Sequence, residues 1–219
     1  VFDTPVTGGN VSFYNESPDT SVYPTPVIGM IGLIEDLSSI TTSYFKDEND
    51  LIYLIGEQGE EIGGSEYLKV IHNIVKGDSP KMDLAIEKKL QETLMNLIGI
   101  KIIKSAHDVS EGGIISCIAE CCIMNKEKQM GAVVNIPVIT REDFSLFSES
   151  QSRVVVSVAP ENQIVFEEAV KSYSVPFTLL GNVSGDKLNV NKHLEFPLLQ
   201  LSDIYYNTIH RIMNDEPIK

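Results

Sequence analysis

The sequence predicts an α/β (α+β) protein built on a mixed β-sheet, with helices packed mainly on one face of the sheet. Two observations predict this class. Short apolar runs rich in Val, Ile and Leu recur along the chain, as is typical of buried strands. Several segments between these runs place apolar residues every three or four positions, which is the spacing of a helix with one buried face.

The predicted elements follow one another in an irregular order, so we expect a mixed sheet. Strands are predicted at 27–34, 51–55, 98–103, 132–136, 154–158, 177–183 and 188–190. Helices are predicted at 65–77, 81–98, 114–125, 141–147, 160–170 and 198–213. The run at 27–34 is almost continuously apolar, which predicts a strand buried on both faces. Ser65 suits the N-cap of the first helix, and Gly77 suits its end.

The first residues differ in composition from the rest of the chain. Residues 1–23 are rich in Gly, Asn, Ser, Thr and Pro and lack helical or strand periodicity. A globular domain rarely begins with so long a loop. We therefore expect 1–26 to be the tail end of a preceding domain and 27–219 to be a C-terminal α/β domain. Since Val1 is not Met and no signal-peptide pattern follows, we expect the sequence to begin within a longer protein.

The charge and the cysteines restrict the classes of function. A formal net charge of −14 argues against a nucleic-acid partner, which calls for a basic surface, but not against a phosphorylated substrate. No apolar run approaches the ~18 residues needed to span a membrane. Cys117, Cys121 and Cys122 are predicted to be buried, reduced thiols, because a metal site would need ligands from elsewhere.

Three loops are rich in glycine and polar side chains, at 7–16, 63–67 and 105–113. In the first loop, the adjacent Gly8 and Gly9 allow backbone N–H groups to point at one anion. Asn10 offers a neutral oxygen for Mg²⁺, and Ser12 offers a hydroxyl for a phosphate. The alternative is that the glycine pair forms only a tight turn.

The third loop lies between a predicted strand and a predicted helix. His107 is the only one of the four histidines in a context typical of a site, and Gly112 and Gly113 open the helix. Such glycines suit the close approach of a ligand anion or of another element. The alternative is that Asp108 and Glu111 form a capping box, with the glycines serving only packing.

Five motifs in this order resemble phosphoribosylformylglycinamidine synthase, in particular the C-terminal part of its synthetase subunit. They lie at 8–16, 24–29, 63–67, 107–113 and 149–153. The motif at 108–113 alone indicates only the wider superfamily, which includes aminoimidazole ribonucleotide synthetase, selenophosphate synthetase and thiamine-monophosphate kinase. The resemblance implies a fold like the C-terminal domain of aminoimidazole ribonucleotide synthetase. It also implies that 1–26 end an ATP-binding-type domain.

The resemblance implies an ATP-dependent carbon–nitrogen ligase of purine biosynthesis in the cytoplasm. Such an enzyme converts formylglycinamide ribonucleotide to its amidine with ammonia from glutamine. The family motif implies that Gly9 contacts ATP, Asn10 ligates Mg²⁺ and Ser12 contacts the ribonucleotide. A secondary cleft is expected from the remaining loop residues. These are His107, Asp108, Gly112, Gly113, Gly64 and Ser65.

The resemblance implies no catalytic residue in this chain, because the catalytic His of the family lies in a domain that the chain lacks. We therefore expect the chain to be inactive alone. The implied partners are the missing N-terminal domains, a glutaminase subunit and a small bridging subunit. We also expect self-association, because the missing half-domain should cover the first strands.

Two other functions stay open at this point. The first is another ATP-dependent enzyme of the superfamily, of the aminoimidazole ribonucleotide synthetase or selenophosphate synthetase type. Its members should lack the run at 10–16. The second is a non-catalytic module for subunit docking, which predicts no nucleotide affinity.

Overall fold

The computed structural model describes residues 1–12, 16–21, 25–214 and 217. It divides into two compact units, Val1–Ile40 and Thr41–Lys219. Parts of the predicted motifs at 8–16 and 24–29 lie outside the described residues. No helix within the described ranges is both long enough and apolar enough to cross a membrane. The assignment of 1–26 to a preceding domain stays a prediction.

The first unit contains an antiparallel pair of strands, β1 (Gly8–Ser12) and β2 (Thr25–Gly29). The sequence did not predict β1, because its glycines and polar residues have low strand propensity. The prediction of a strand buried on both faces over 27–34 is wrong. The strand ends at Gly29, and Leu33 beyond it is 86% exposed. A pair of strands alone offers no second layer that could cover these side chains.

The second unit contains a seven-stranded sheet and the six α-helices of the described residues. Its strands are β3 (Leu51–Ile55), β4 (Ile103–Asp108), β5 (Ala132–Val134), β6 (Val154–Val158), β7 (Phe177–Val183), β8 (Lys187–Val190) and β9 (Leu194–Pro197). Its helices are α1 (Glu66–His72), α2 (Leu84–Gly99), α3 (Gly113–Ile123), α4 (Glu142–Phe147), α5 (Gln163–Ser172) and α6 (Leu198–Met213).

The strand order is β4-β6-β3-β7-β5-β8-β9. All neighbouring pairs are antiparallel except β5 and β8, which are parallel. The predicted mixed sheet is therefore confirmed. The strand β3 lies near the centre, and its residues Ile52 to Ile55 are fully buried.

Helices cover both faces of this sheet. On one face Ile52 and Leu54 belong to a core cluster with residues of α3, α4 and α6. On the other face Tyr53 and Ile55 belong to a second cluster with residues of α2 and α5. The prediction that helices lie mainly on one face is therefore wrong. Successive residues of β3 point to opposite faces of the sheet, and all are apolar. Each face therefore needs its own layer of helices to bury these side chains.

Several element bounds differ from the prediction. The helix α2 continues to Gly99, so the strand expected from residue 98 begins only at Ile103. The helix α1 ends before Asn73, which adopts a left-handed conformation. The hydroxyl of Ser65 accepts a hydrogen bond from the N–H of Leu68, which confirms the predicted N-cap. The three cysteines are buried and unbridged, as predicted.

Candidate functional site

The residues predicted to contact ATP, Mg²⁺ and ribonucleotide lie on one strand. In β1, Gly9 is paired with Ile28, Asn10 with Val27 and Ser12 with Thr25. The Gly9 backbone has a φ of +144°, and a Cβ there would collide with the carbonyl oxygen of Val27. This close approach requires glycine at Gly9. Because Gly8 and Gly9 both lie in β1 and pair with β2, the alternative of a tight turn at this glycine pair is wrong.

The second unit carries a cleft of about 440 Å³ beside the end of β4 and the start of β6. Two of the five sequence motifs supply most of its walls, at 107–113 and 149–153. The lining includes Glu87, Asp108, Glu111, Glu149, Ser152 and Arg153. This volume is within the usual range for small-ligand sites.

Glu149 connects three of the motifs. Its Oε1 accepts hydrogen bonds from the N–H of Gly112 at 2.8 Å and the N–H of Glu66 at 2.9 Å. These two N–H groups lie at the starts of α3 and α1, where backbone donors lack partners within the helix and favour a negative charge. One carboxylate therefore joins the Gly64 and Ser65 loop to the loop that precedes α3. This role was not predicted from the sequence.

The predicted capping box at α3 is wrong. The N-cap residue is Gly112, with a φ of +77°, and no side chain caps the helix. Asp108 still belongs to β4 and accepts a hydrogen bond from the hydroxyl of Ser110 instead. Gly113 has a φ of +72°, and a Cβ there would lie 2.6 Å from the carbonyl oxygen of Leu146. This second glycine therefore serves the packing of α3 against α4.

His107 is turned away from the cleft. Its Nε2 lies 2.9 Å from Oε2 of Glu120, and its Nδ1 lies 2.9 Å from the carbonyl oxygen of Asp108. Hydrogen bonding with Cys117 and with Glu120 raises the pKa of His107 to about 10. The protonated ring can donate to both oxygens at neutral pH. His107 therefore lies outside the cleft lining, in an ion pair that joins β4 to α3.

Arg153 is a buried charge on the cleft wall that the sequence analysis missed. It is 2% exposed, and its Nε and Nη2 donate to the carbonyl oxygens of Ser150 at 2.9 Å and Ser148 at 2.6 Å. Burial lowers the pKa of Arg153 to about 10, so the guanidinium stays charged at neutral pH. The sequence signal was a basic residue immediately before the five apolar-rich residues of β6.

The site holds groups suited to binding and positioning. Among the described residues, no three or more His, Cys, Asp or Glu side chains are grouped to hold a metal ion. The three cysteines are buried away from solvent. The chemistry that these residues support is therefore the placement of a ligand by backbone N–H, carboxylate and guanidinium groups.

Comparisons with known proteins agree with this architecture. The family model described as "AIR synthase related protein, C-terminal domain" matches residues 47–192. The phosphoribosylformylglycinamidine synthase subunit PurL of Alkaliphilus metalliredigens is 41% identical over 220 residues, which cover 99% of this chain and 29% of that protein. The same subunit of Thermoanaerobacter pseudethanolicus is 45% identical over 212 residues, or 94% of this chain and 28% of that protein. The chain thus spans less than a third of these relatives.

Solved structures share the fold at lower sequence identity. "T. maritima PurL complexed with FGAR" matches with a TM-score of 0.66 and 19% identity over 81% of this chain and 32% of that chain. "Structure of PurLQS from Thermotoga maritima" matches with a TM-score of 0.59 and 19% identity over 81% of this chain and 29% of that chain. Since the family model covers most of the second unit, the chain belongs to the AIR synthase related proteins and carries their C-terminal domain.

Proposed function

We propose that this chain is the C-terminal part of an ATP-dependent amidine synthase of purine biosynthesis. The parent enzyme converts formylglycinamide ribonucleotide to formylglycinamidine ribonucleotide with glutamine-derived ammonia in the cytoplasm. One observation carries the proposal: the similarity to PurL runs through 99% of the chain, including the unit that holds β1. A domain shared only with the wider superfamily would be expected to match the second unit alone.

In this proposal β1 supplies contacts for nucleotide, metal and substrate. Gly9 contacts ATP, Asn10 ligates Mg²⁺ and Ser12 contacts the ribonucleotide. The exposed Asn10 can present an amide oxygen, which is a suitable ligand for Mg²⁺. Bound Mg²⁺ would neutralise charge on the transferred phosphoryl group. None of these residues is a base or a nucleophile, so the chain needs the rest of its parent for catalysis.

The proposed partners follow from the part of the relatives that the chain does not cover. They are the N-terminal domains of the parent, a glutaminase subunit and a small bridging subunit. The chain covers 29% of its A. metalliredigens relative, so most of the catalytic apparatus would come from the N-terminal domains.

The test uses the full-length parent with Asn10→Ala or Ser12→Ala. We expect Asn10→Ala to weaken binding of Mg-ATP in calorimetry, and Ser12→Ala to raise the KM for the ribonucleotide. Asn207→Ala and Ser172→Ala, at exposed positions of α6 and α5, are matched controls that should behave as the wild type. Unchanged binding and turnover in both β1 variants would refute the site assignment. A parent without nucleotide affinity would favour a docking module.

A further inference from the structure

The last helix, α6, is buried at its start and exposed on the same side further along. Leu198 is buried in the core cluster that includes residues of α3, and Leu201 packs against that cluster. The hydroxyl of Tyr206 donates to the carbonyl oxygen of Ile123 at the end of α3, 3.3 Å away. Four large side chains in the remainder of the helix are between 45% and 80% exposed. They are Tyr205, Ile209, Ile212 and Met213, here called the α6 stripe.

The α6 stripe continues the buried side of the helix. With 3.6 residues per turn, its four residues lie on the same side as Leu198 and Leu201. The opposite side is polar and carries Asp203, Asn207 and Arg211. A helix that separates apolar from polar residues along its whole length is typical of one whose apolar side is covered. The stripe therefore has the pattern of a surface that packs against another layer.

Hydrogen bonds on the polar side hold this half of the helix in shape. The Nη2 of Arg211 lies 2.7 Å from Oδ1 and 2.8 Å from Oδ2 of Asp203, two turns earlier. The side-chain amide of Asn207 donates to the same Oδ1 at 2.8 Å. A surface that is already ordered loses less conformational entropy when it binds. The α6 stripe is therefore preformed for docking.

The size of the α6 stripe restricts its occupant. Its exposed fractions amount to about two and a half whole side chains, or about 500 Å² at roughly 200 Å² for each large side chain. Two copies paired through this stripe alone would bury about 1,000 Å² in total, below the ~1,200 Å² of a stable complex between separate proteins. The same area lies within the ~600–1,500 Å² that is usual between domains of one polypeptide. The area therefore favours a neighbouring domain over a second copy.

The charges disfavour a membrane as the occupant. Helices that lie on membranes are rich in Lys and Arg on their polar side. The only Lys or Arg in α6 is Arg211, and it forms an ion pair with Asp203. The formal net charge of −14 would also repel anionic lipids. An apolar protein surface suits the stripe better.

We propose that the α6 stripe docks on an apolar surface of another domain of the parent polypeptide. The chain spans less than a third of its PurL relatives, so such a parent contains further domains that can supply this surface. The proposal rests on the proposed function only for the identity of the parent. It involves none of the residues assigned to ATP, Mg²⁺ or the ribonucleotide, so its test does not depend on activity.

The test measures the rate of thiol labelling in the full-length parent, with the labelled peptide located by mass spectrometry. Ile209→Cys places a thiol in the α6 stripe, and Asn207→Cys, on the polar side of the same helix, is the matched control. The three native cysteines of this chain are buried and should react slowly. We expect the thiol at position 209 to react at least about tenfold more slowly than that at 207, since a site docked nine-tenths of the time is open for one-tenth. In the 219-residue chain alone, both should react at similar rates.

Amide hydrogen exchange of the unsubstituted proteins gives a second measurement. The amides at 208–213 should exchange more slowly in the parent than in the chain alone, because a docked helix end opens less often. This comparison needs no variant, so it decides the question even if a substitution at Ile209 disturbs folding.

Three outcomes would overturn the proposal. The first is equal labelling at positions 209 and 207 in the parent, together with unchanged exchange at 208–213. The second is slow labelling at 209 in the chain alone that becomes slower as its concentration rises, which would indicate a second copy. The third is slow labelling at 209 only when vesicles of anionic lipid are added. A parent that protects position 209 but makes no amidine would refute the proposed function and support the docking surface.

Discussion

Replacement of Glu149 with Ala removes an acceptor that the starts of α1 and α3 share. Its Oε1 accepts at 2.8 Å from Gly112 and at 2.9 Å from Glu66. A hydrogen bond to a charged group contributes about 1.5–3 kcal/mol, and the half-buried position of Glu149 favours the lower value. Glu149→Ala should therefore lower the free energy of unfolding by about 3 kcal/mol, the sum of two such bonds. Glu149→Gln keeps an acceptor oxygen and should cost about 1 kcal/mol.

Urea unfolding followed by circular dichroism measures these differences, provided that the free energy of unfolding falls with urea concentration at the same slope in all variants. Glu127→Ala, at an exposed position beyond α3, is the matched control and should stay within about 0.5 kcal/mol of the wild type. Amide hydrogen exchange should accelerate in the first turns of both α1 and α3. An Ala variant as stable as the control, or faster exchange in only one helix, would refute the shared role of Glu149.

Three further predictions concern a pH dependence, a glycine and an apolar surface. Because its pKa is raised, His107 should stabilise the fold fully below about pH 6.5, and this stabilisation should disappear as the pH rises towards about 10. A His107→Gln variant should lack this part of the pH dependence of the free energy of unfolding. Gly113→Ala should cost more than about 3 kcal/mol in thermal unfolding, because the Cβ meets backbone atoms at a positive φ, whereas Gly99→Ala has open space and should be neutral or stabilising. The chain alone should self-associate at tens of micromolar in light scattering. Replacing both Ile31 and Leu33, which are 82% and 86% exposed, with Ser should reduce this self-association.

Each of these predictions has a result that contradicts it. A His107 ring that loses its proton near pH 6.5 in NMR would contradict the ion pair with Glu120. Equal melting temperatures for Gly113→Ala and Gly99→Ala would show that α3 can shift away from α4 at no cost. A monomer at every concentration would show that the exposed side chains of the first unit do not drive association.

The sequence predicted most strands and helices of the second unit because their apolar patterns are strong. The five residues of β3 and the sixteen of α6 were both recognised in this way. The distribution of helices over the two faces was predicted wrongly, since a fully apolar strand does not tell which neighbour covers which side. The four-residue strand β9 was missed because Phe196 is its one residue of high strand propensity and it ends in Pro197.

The candidate site was predicted less completely than the fold. The glycines at 112–113 were recognised as special, but the close packing that Gly113 permits is against α4, which is distant in sequence. The local spacing of Asp108 and Glu111 indicated a capping box. The acceptor near the start of α3 is instead Glu149, which lies 37 positions after its donor Gly112. Long-range hydrogen bonds of this kind leave no periodic signal. The burial of Arg153 and its unpartnered Nη1 likewise became visible only in the structure.

The strand order has a consequence for the synthesis of the protein. The strand β3, near the centre of the sheet, ends at residue 55, but its two neighbours are β6 at 154–158 and β7 at 177–183. A ribosome adds about 5–20 residues per second, so β6 and β7 are synthesised roughly ten seconds after β3. Pairing over such distances also slows folding, because a long loop must close first. The apolar side chains of β3 therefore stay without their strand partners while about a hundred further residues are made.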